Sequence, residues 1–140
     1  MKKFVLIGFL VFAINSIAQS ADELAIRKVL NDQTAAWNNG NIEAFMKGYW
    51  ENDSLMFVGK NGITYGWQNT LNNYKKNYPD TSAMGKLSFT LISVKQLSSQ
   101  HFFIAGKWYL KRSIGDISGH FTLLFKKIKS HWVIITDHSS

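Results

Sequence analysis

The chain has 140 residues, one proline, no cysteine and a formal net charge of +7. That length suits one domain with a core of its own, and the lack of cysteine excludes disulfides, thiol catalysis and thiolate metal sites. Lys75, Lys76, Lys107, Lys111, Lys126, Lys127 and Lys129 are spread over a helix and several strand faces, whereas nucleic-acid binders gather such charge on one stripe, so no nucleic-acid partner is expected.

Lys2 and Lys3 precede an apolar run from Phe4 to Ile14, followed by Asn15, Ser16, Ala18 and Ser20. This is the layout of a secretory signal peptide, and its apolar part is too short to span a bilayer comfortably. Small residues at Ser16 and Ala18 set the expected cleavage, giving residues 1–18 as signal and 19–140 as one domain; cleavage after Ser20 is the alternative. Without Lys2 and Lys3 the mature form keeps fourteen basic and nine acidic residues. It is expected in the periplasm or outside the cell, with no membrane attachment.

Ser20-Ala21-Asp22-Glu23 has the form of a capping box that opens a helix. Ile26, Val29, Leu30, Gln33 and Trp37 recur on one face of it, and Asn38-Asn39-Gly40 ends it. Asn41 caps a second, short helix with Ile42, Phe45 and Met46 on its apolar side. After Tyr49-Trp50 and an Asn52-Asp53 turn, Leu55 to Val58 reads as a strand, joined through Lys60-Asn61-Gly62 to Ile63-Thr64-Tyr65. A third helix follows Gly66, with Trp67, Leu71, Tyr74 and Tyr78 in one stripe, and Pro79 stops it.

From Lys86 the period changes and the chain reads as four strands, the last three being His101 to Arg112, Ile117 to Ile128 and His131 to Ser139. Alternation turns Phe102, Ile104, Gly106, Trp108, Leu110 and Arg112 inward. With a two-residue turn at Lys129-Ser130, His120, Thr122 and Leu124 share a face with Val133, Ile135 and Asp137. Phe121, Leu123 and Phe125 then share the other with Trp132, Ile134 and His138. One more loop residue reverses the grouping and sets His120 beside His138.

In order, Ala36-Trp37-Asn38-Asn39-Gly40-Asn41, Tyr49-Trp50-Glu51-Asn52-Asp53, Gly66-Trp67 and the closing segment from Trp132 to Ser140 resemble the nuclear transport factor 2-like superfamily. The likeness is to its SnoaL-like, ketosteroid-isomerase-like members of unknown function. The closing Trp132, His138 and Ser139 are also similar to the end of the association domain of calcium/calmodulin-dependent protein kinase II. The resemblance implies an α+β cone, a strongly curved mixed or antiparallel sheet around three N-terminal helices (cystatin-like), often dimeric through the outer face of the sheet. It implies no activity, because such folds host enzymes, binders and assembly modules.

Steroid isomerisation needs a carboxylate base on the first strand, and Leu55-Met56-Phe57-Val58 offers none. Epoxide hydrolysis needs an arginine flanked by two carboxylates; Arg112 with Asp53 and Asp137 is the nearest set, although Asp53 fits a local turn role. The candidate catalytic pair is His120 oriented by Asp137, with Arg112 or a tyrosine hydroxyl stabilising negative charge. The bland account of His120 and Asp137 is a polar link between strands. Trp37, Tyr49, Trp67, Tyr74 and Trp108 are the candidate ligand-binding rings, suited to a flat hydrophobic or aromatic molecule. Neither a metal nor a cofactor is expected, since the four histidines lack ligand spacing and no phosphate loop or dinucleotide fingerprint occurs. The sequence thus admits two readings: a homodimeric binder with cofactor-free isomerase- or hydrolase-like chemistry, or a non-catalytic assembly module.

Overall fold

A computed structural model gives the fold and describes residues 19–140. The expected signal peptide at 1–18 lies outside the described residues.

Helix α1 (Ala21–Asn38) begins where Ser20 Oγ accepts from the Glu23 amide at 3.1 Å. Its buried face is Ile26, Leu30, Gln33 and Trp37. Both of its ends are fastened to the sheet. At the first turn, Asp22 Oδ1 accepts from Lys127 Nζ at 2.9 Å and Trp132 Nε1 at 3.0 Å; at the last, Asn38 exchanges two hydrogen bonds with the Leu87 backbone.

Asn41 caps α2 (Ile42–Met46), and β1 (Met56–Gly59) and β2 (Gly62–Tyr65) form the expected hairpin before α3 (Trp67–Asn77). A fourth helix, α4 (Thr81–Met84), adds one turn to the three expected; the Asp80 side chain caps it on the Ala83 amide at 2.8 Å, and Gly85 ends it at φ 62. The remaining strands are β3 (Lys86–Ser98), β4 (His101–Lys111), β5 (Ile117–Ile128) and β6 (His131–Ser139). The sheet runs β2-β1-β6-β5-β4-β3, with β1 parallel to β6 and all other neighbours antiparallel. It does not close, and curves as a cone over the helices. Ile26, Met46, Leu55, Ile104, Phe125 and Ile134 are the most deeply buried apolar side chains of the shared core. No helix among the described residues is long and apolar enough to cross a membrane.

Parity in β4 is as expected: Phe102, Ile104, Gly106 and Leu110 are buried, while Phe103, Lys107 and Tyr109 are exposed. The turn at Lys129-Ser130 has two residues, both at positive φ (47 and 65), the geometry of a tight hairpin. Beyond it the register shifts. Phe125 pairs with Ile134 but Leu124 pairs with Thr136, so Ile135 is an extra residue in β6, a β-bulge that reverses parity in the strand beyond it.

The expected sharing of a face by His120 and Asp137 is corrected by that bulge. Asp137 pairs with Leu123 and turns inward, whereas His138 pairs with Thr122 and turns outward, to the exposed face that carries His120.

Candidate active site

The cone encloses a cavity of about 590 Å³. One wall comes from the helices. Trp37 closes the buried stripe of α1, and its ring meets Phe45 edge-on at 5.1 Å and Tyr78 at 4.9 Å. Tyr74, brought in by α3, meets Phe45 at 5.3 Å and Phe57 of β1 at 5.8 Å. Such edge-to-face pairs hold one another in fixed orientations. The facing wall is the inward parity of the sheet, with Phe89, Trp108, Leu110 and Phe121.

A single carboxylate enters this apolar space. Asp137 is 3% exposed. Tyr49, placed just after α2, donates to its Oδ2 at 2.7 Å, and Ser139 Oγ donates to its Oδ1 at 2.7 Å. Tyr49 and Tyr74 hydroxyls lie 3.3 Å apart. Since Tyr49 has one hydroxyl hydrogen and commits it to Asp137, Tyr74 is the donor in that contact. Two hydroxyls therefore donate directly to the carboxylate, one to each oxygen, and a third donates to one of these two.

Burial raises the Asp137 carboxyl to about 6, against the opposing pull of the Tyr49 and Ser139 hydrogen bonds and the nearby His138. Burial, with the Asp137 charge next, pushes the Tyr49 and Tyr74 phenols well above their ordinary value, so both stay protonated. The arrangement gives a buried acid or base poised near neutrality, reached through phenols that conduct its hydrogen bonding to the cavity.

Of the expected ligand-binding rings, Trp37, Tyr49, Tyr74 and Trp108 line the cavity and Trp67 does not. Trp67 starts α3 but directs its indole Nε1 to Met46 O at 2.9 Å, a tie between helices. The expected catalytic set is divided: Asp137 lies inside, His120 is exposed outside, and Arg112 is outside the cavity wall. Arg112 Nε donates to Gly115 O at 2.7 Å and Nη1 to Ala83 O at 3.3 Å, which secures α4 and the β4–β5 turn. Sequence reasoning passed over Ser139 as an Asp137 partner and Phe45, Phe57, Phe89 and Phe121 as cavity walls. The alternation Phe121-Leu123-Phe125 was a usable signal for the last; nothing in the sequence marked the bulge that brings Asp137 and Ser139 inward. Among the described residues no cluster of three His, Asp or Glu could hold a metal ion.

Fold and site together define an α+β cone of the cystatin-like class, with an aromatic cavity and one buried acid. An uncharacterised nuclear transport factor 2-like protein from Shewanella oneidensis is 44% identical and superposes with a TM-score of 0.82, covering 85% of this chain and 98% of that one. The chain belongs to the nuclear transport factor 2-like family. A ketosteroid isomerase-like protein from Erwinia carotovora (15% identity, TM-score 0.66, 87% and 97% covered) and a cystatin-like domain of unknown function from Nostoc punctiforme (17%, 0.72, 88% and 78%) share the fold. No protein-family model and no curated protein matches the sequence.

Proposed function

We propose that this is an exported domain that binds a small hydrophobic or aromatic molecule in its cone and carries out cofactor-free proton transfer on it through Asp137. The observation that supports the reading is a solitary carboxylate, raised to about 6, inside a ring-lined cavity of about 590 Å³. A cavity of that size, apolar with few converging polar groups, is the usual form of a small-molecule site. A carboxylate with that affinity for protons exchanges them readily near neutral pH, as isomerisation or hydrolysis without a metal requires. Asp137 takes the acid/base role first considered for His120, and Tyr74, which lines the cavity, takes the contact with the guest in place of Arg112, whose guanidinium is committed to Gly115 O and Ala83 O. Export is proposed from residues 1–18 alone.

The test is native mass spectrometry of the purified protein, followed by calorimetric titration with the molecule it carries. A copurified aromatic compound whose affinity or turnover falls at least tenfold in Asp137→Asn supports the reading. A protein that carries nothing and binds no aromatic probe refutes it.

A second reading, a homodimer or larger assembly, is favoured by the outer sheet face. There Phe103 pairs with Leu124 and Leu124 with Thr136, an uncharged row across three strands, with Ala105 and Thr122 paired beside it on two of them. Such a face suits an isologous contact between two copies.

A further inference from the structure

Among the described residues, two side chains of the cavity wall carry charge, and they stand at different depths: Asp137 and Lys60. The strand pairings bring Gly59 of β1, Leu87 of β3, Leu110 of β4, Ile117 of β5 and Ser139 of β6 to one end of the sheet. Of the residues that line the cavity, Lys60, Asn61, Ser118 and Ser140 are exposed and share that end, so the cavity opens there. Phe57 is the parallel partner of Asp137. Lys60 follows three residues later, which sets it roughly 10 Å nearer the mouth than the carboxylate.

Its placement is built in. Gly59 pairs with Gly62, leaving Lys60 and Asn61 as a two-residue turn, and Gly62 takes φ 108, which the lack of a Cβ permits. Asn73 Nδ2 donates to Thr64 Oγ1 at 3.0 Å and ties this hairpin to α3. Lys28, Lys75 and Lys127 pair with Asp32, Glu43 and Asp22, whereas Lys60 makes no ion pair among the described residues. Ser140, also on the rim, lays its carbonyl oxygen over Gly119 of β5, on the side of β6 away from β1. The ammonium of Lys60 is therefore uncommitted, on a stem that can rest along the apolar rim while its head stays in water.

The two charges give the cavity a direction. An anionic group carried inward would meet the Asp137 carboxylate in surroundings of low dielectric, where like charges repel far more strongly than in water. At the mouth the same group meets an ammonium. The strand ends and turns around the opening carry Lys60, Lys86, Lys111 and Arg112 against Asp116, which already accepts from Tyr109 and the Arg112 amide.

We infer that the cavity selects amphipathic aromatic anions: a flat apolar body lies among the rings with its neutral end toward Asp137 and Tyr74, and an anionic group stays at the mouth against Lys60. The inference rests on the cavity being a small-molecule site, as proposed above, and gives that site a charge preference and an orientation of its guest.

Two bicyclic probes of one shape isolate the charge: 2-naphthoate and its neutral isostere 2-naphthamide. Titrated calorimetrically at about pH 7 in dilute buffer, the acid should bind about fourfold tighter than the amide, the worth of one solvent-exposed ion pair. Raising the salt to about 0.5 M should bring the two affinities together, because exposed pairs are screened. Lys60→Gln, at an exposed turn position, should remove the preference for the acid and hold the amide within about twofold of the parent. In the unaltered protein, nuclear Overhauser contacts should join the ring protons beside the carboxylate to the Lys60 methylenes, and those of the opposite ring edge to Tyr74. Equal affinity for acid and amide in dilute buffer overturns the anion preference while leaving a binding cavity in place. Survival of the preference in Lys60→Gln, or contacts that place the carboxylate end beside Tyr74, overturns the role of Lys60. Failure of both probes to bind overturns the cavity reading itself.

Discussion

Tyr49 donates its phenolic hydrogen to Asp137 at 2.7 Å, joining the segment after α2 to the last strand across 88 residues of sequence. This contact converts a buried charge from a liability into a usable group. A carboxylate placed among Phe45, Phe57 and Phe121 without donors would stay neutral; with two donors it titrates near physiological pH.

That compromise has a stability signature. Asp137 titrates at about 6 in the fold against an ordinary 3.8, so between those values the folded state holds a proton that the unfolded chain has released. Stability therefore falls as pH rises from about 4 to about 6 and levels off above, by roughly 3 kcal/mol in all. Asp137→Asn should lose this dependence, because the Tyr49 and Ser139 hydroxyls can rotate to accept from an amide. Urea unfolding should find the variant more stable than the parent by up to about 3 kcal/mol at pH 8 and within about 0.5 kcal/mol at pH 4. A variant less stable at pH 8 would show that the ionised carboxylate is a net stabiliser.

Tyr49→Phe acts in the other direction. It removes the donor to Oδ2 and so raises the Asp137 carboxyl further. The loss should be about 2 kcal/mol above neutrality, where an ionised oxygen is orphaned, and smaller at about pH 4, where the carboxyl is protonated in both proteins. Urea midpoints at the two pH values give the comparison.

His120 is exposed on the outer face. His120→Ala should change unfolding free energy by less than about 0.5 kcal/mol and leave the affinity for any cavity ligand within about twofold of the parent. A large loss of affinity would require the sheet to transmit an effect between its faces.

Asn38 holds the end of α1 to β3 through Nδ2 to Leu87 O at 3.1 Å and Oδ1 from the Leu87 amide at 2.6 Å. Asn38→Ala breaks both and strands a strand amide and carbonyl. Chemical denaturation should register a loss of about 2 kcal/mol, with cavity polarity unchanged.

Leu124 stands between Phe103 and Thr136 on the outer face. If the protein self-associates there, Leu124→Lys places like charges opposite each other across the two-fold and should yield monomers in sedimentation velocity. Unaltered mass would place the contact elsewhere.

Much of the architecture was legible because it rests on local rules. The capping box at Ser20, the glycine exit at Gly40, the Lys129-Ser130 turn and the alternation of Phe102, Ile104 and Leu110 each state their own conformation. The short α4 escaped because one turn carries no periodicity. The site was less legible for a different reason. Which tryptophans are structural is decided by carbonyls of Met46 and Met84, groups that every residue possesses and that only folding brings near. The identity of the inward acid was hidden by the bulge, since Ile135 and Thr136 suit either face of a half-buried strand equally.

The supernumerary Ile135 thus acts as a selector for the chemistry of the hollow. Were it to pair with Leu124 as an ordinary rung, the tail would fall back by one step, setting Asp137 opposite Thr122 on the outer face and His138 opposite Phe121 on the inner one, so that the phenols would lose their carboxylate. In a scaffold whose walls are mainly apolar, the reactive character of the interior hangs on which residue of one ribbon goes unpaired more than on the kinds of residue present.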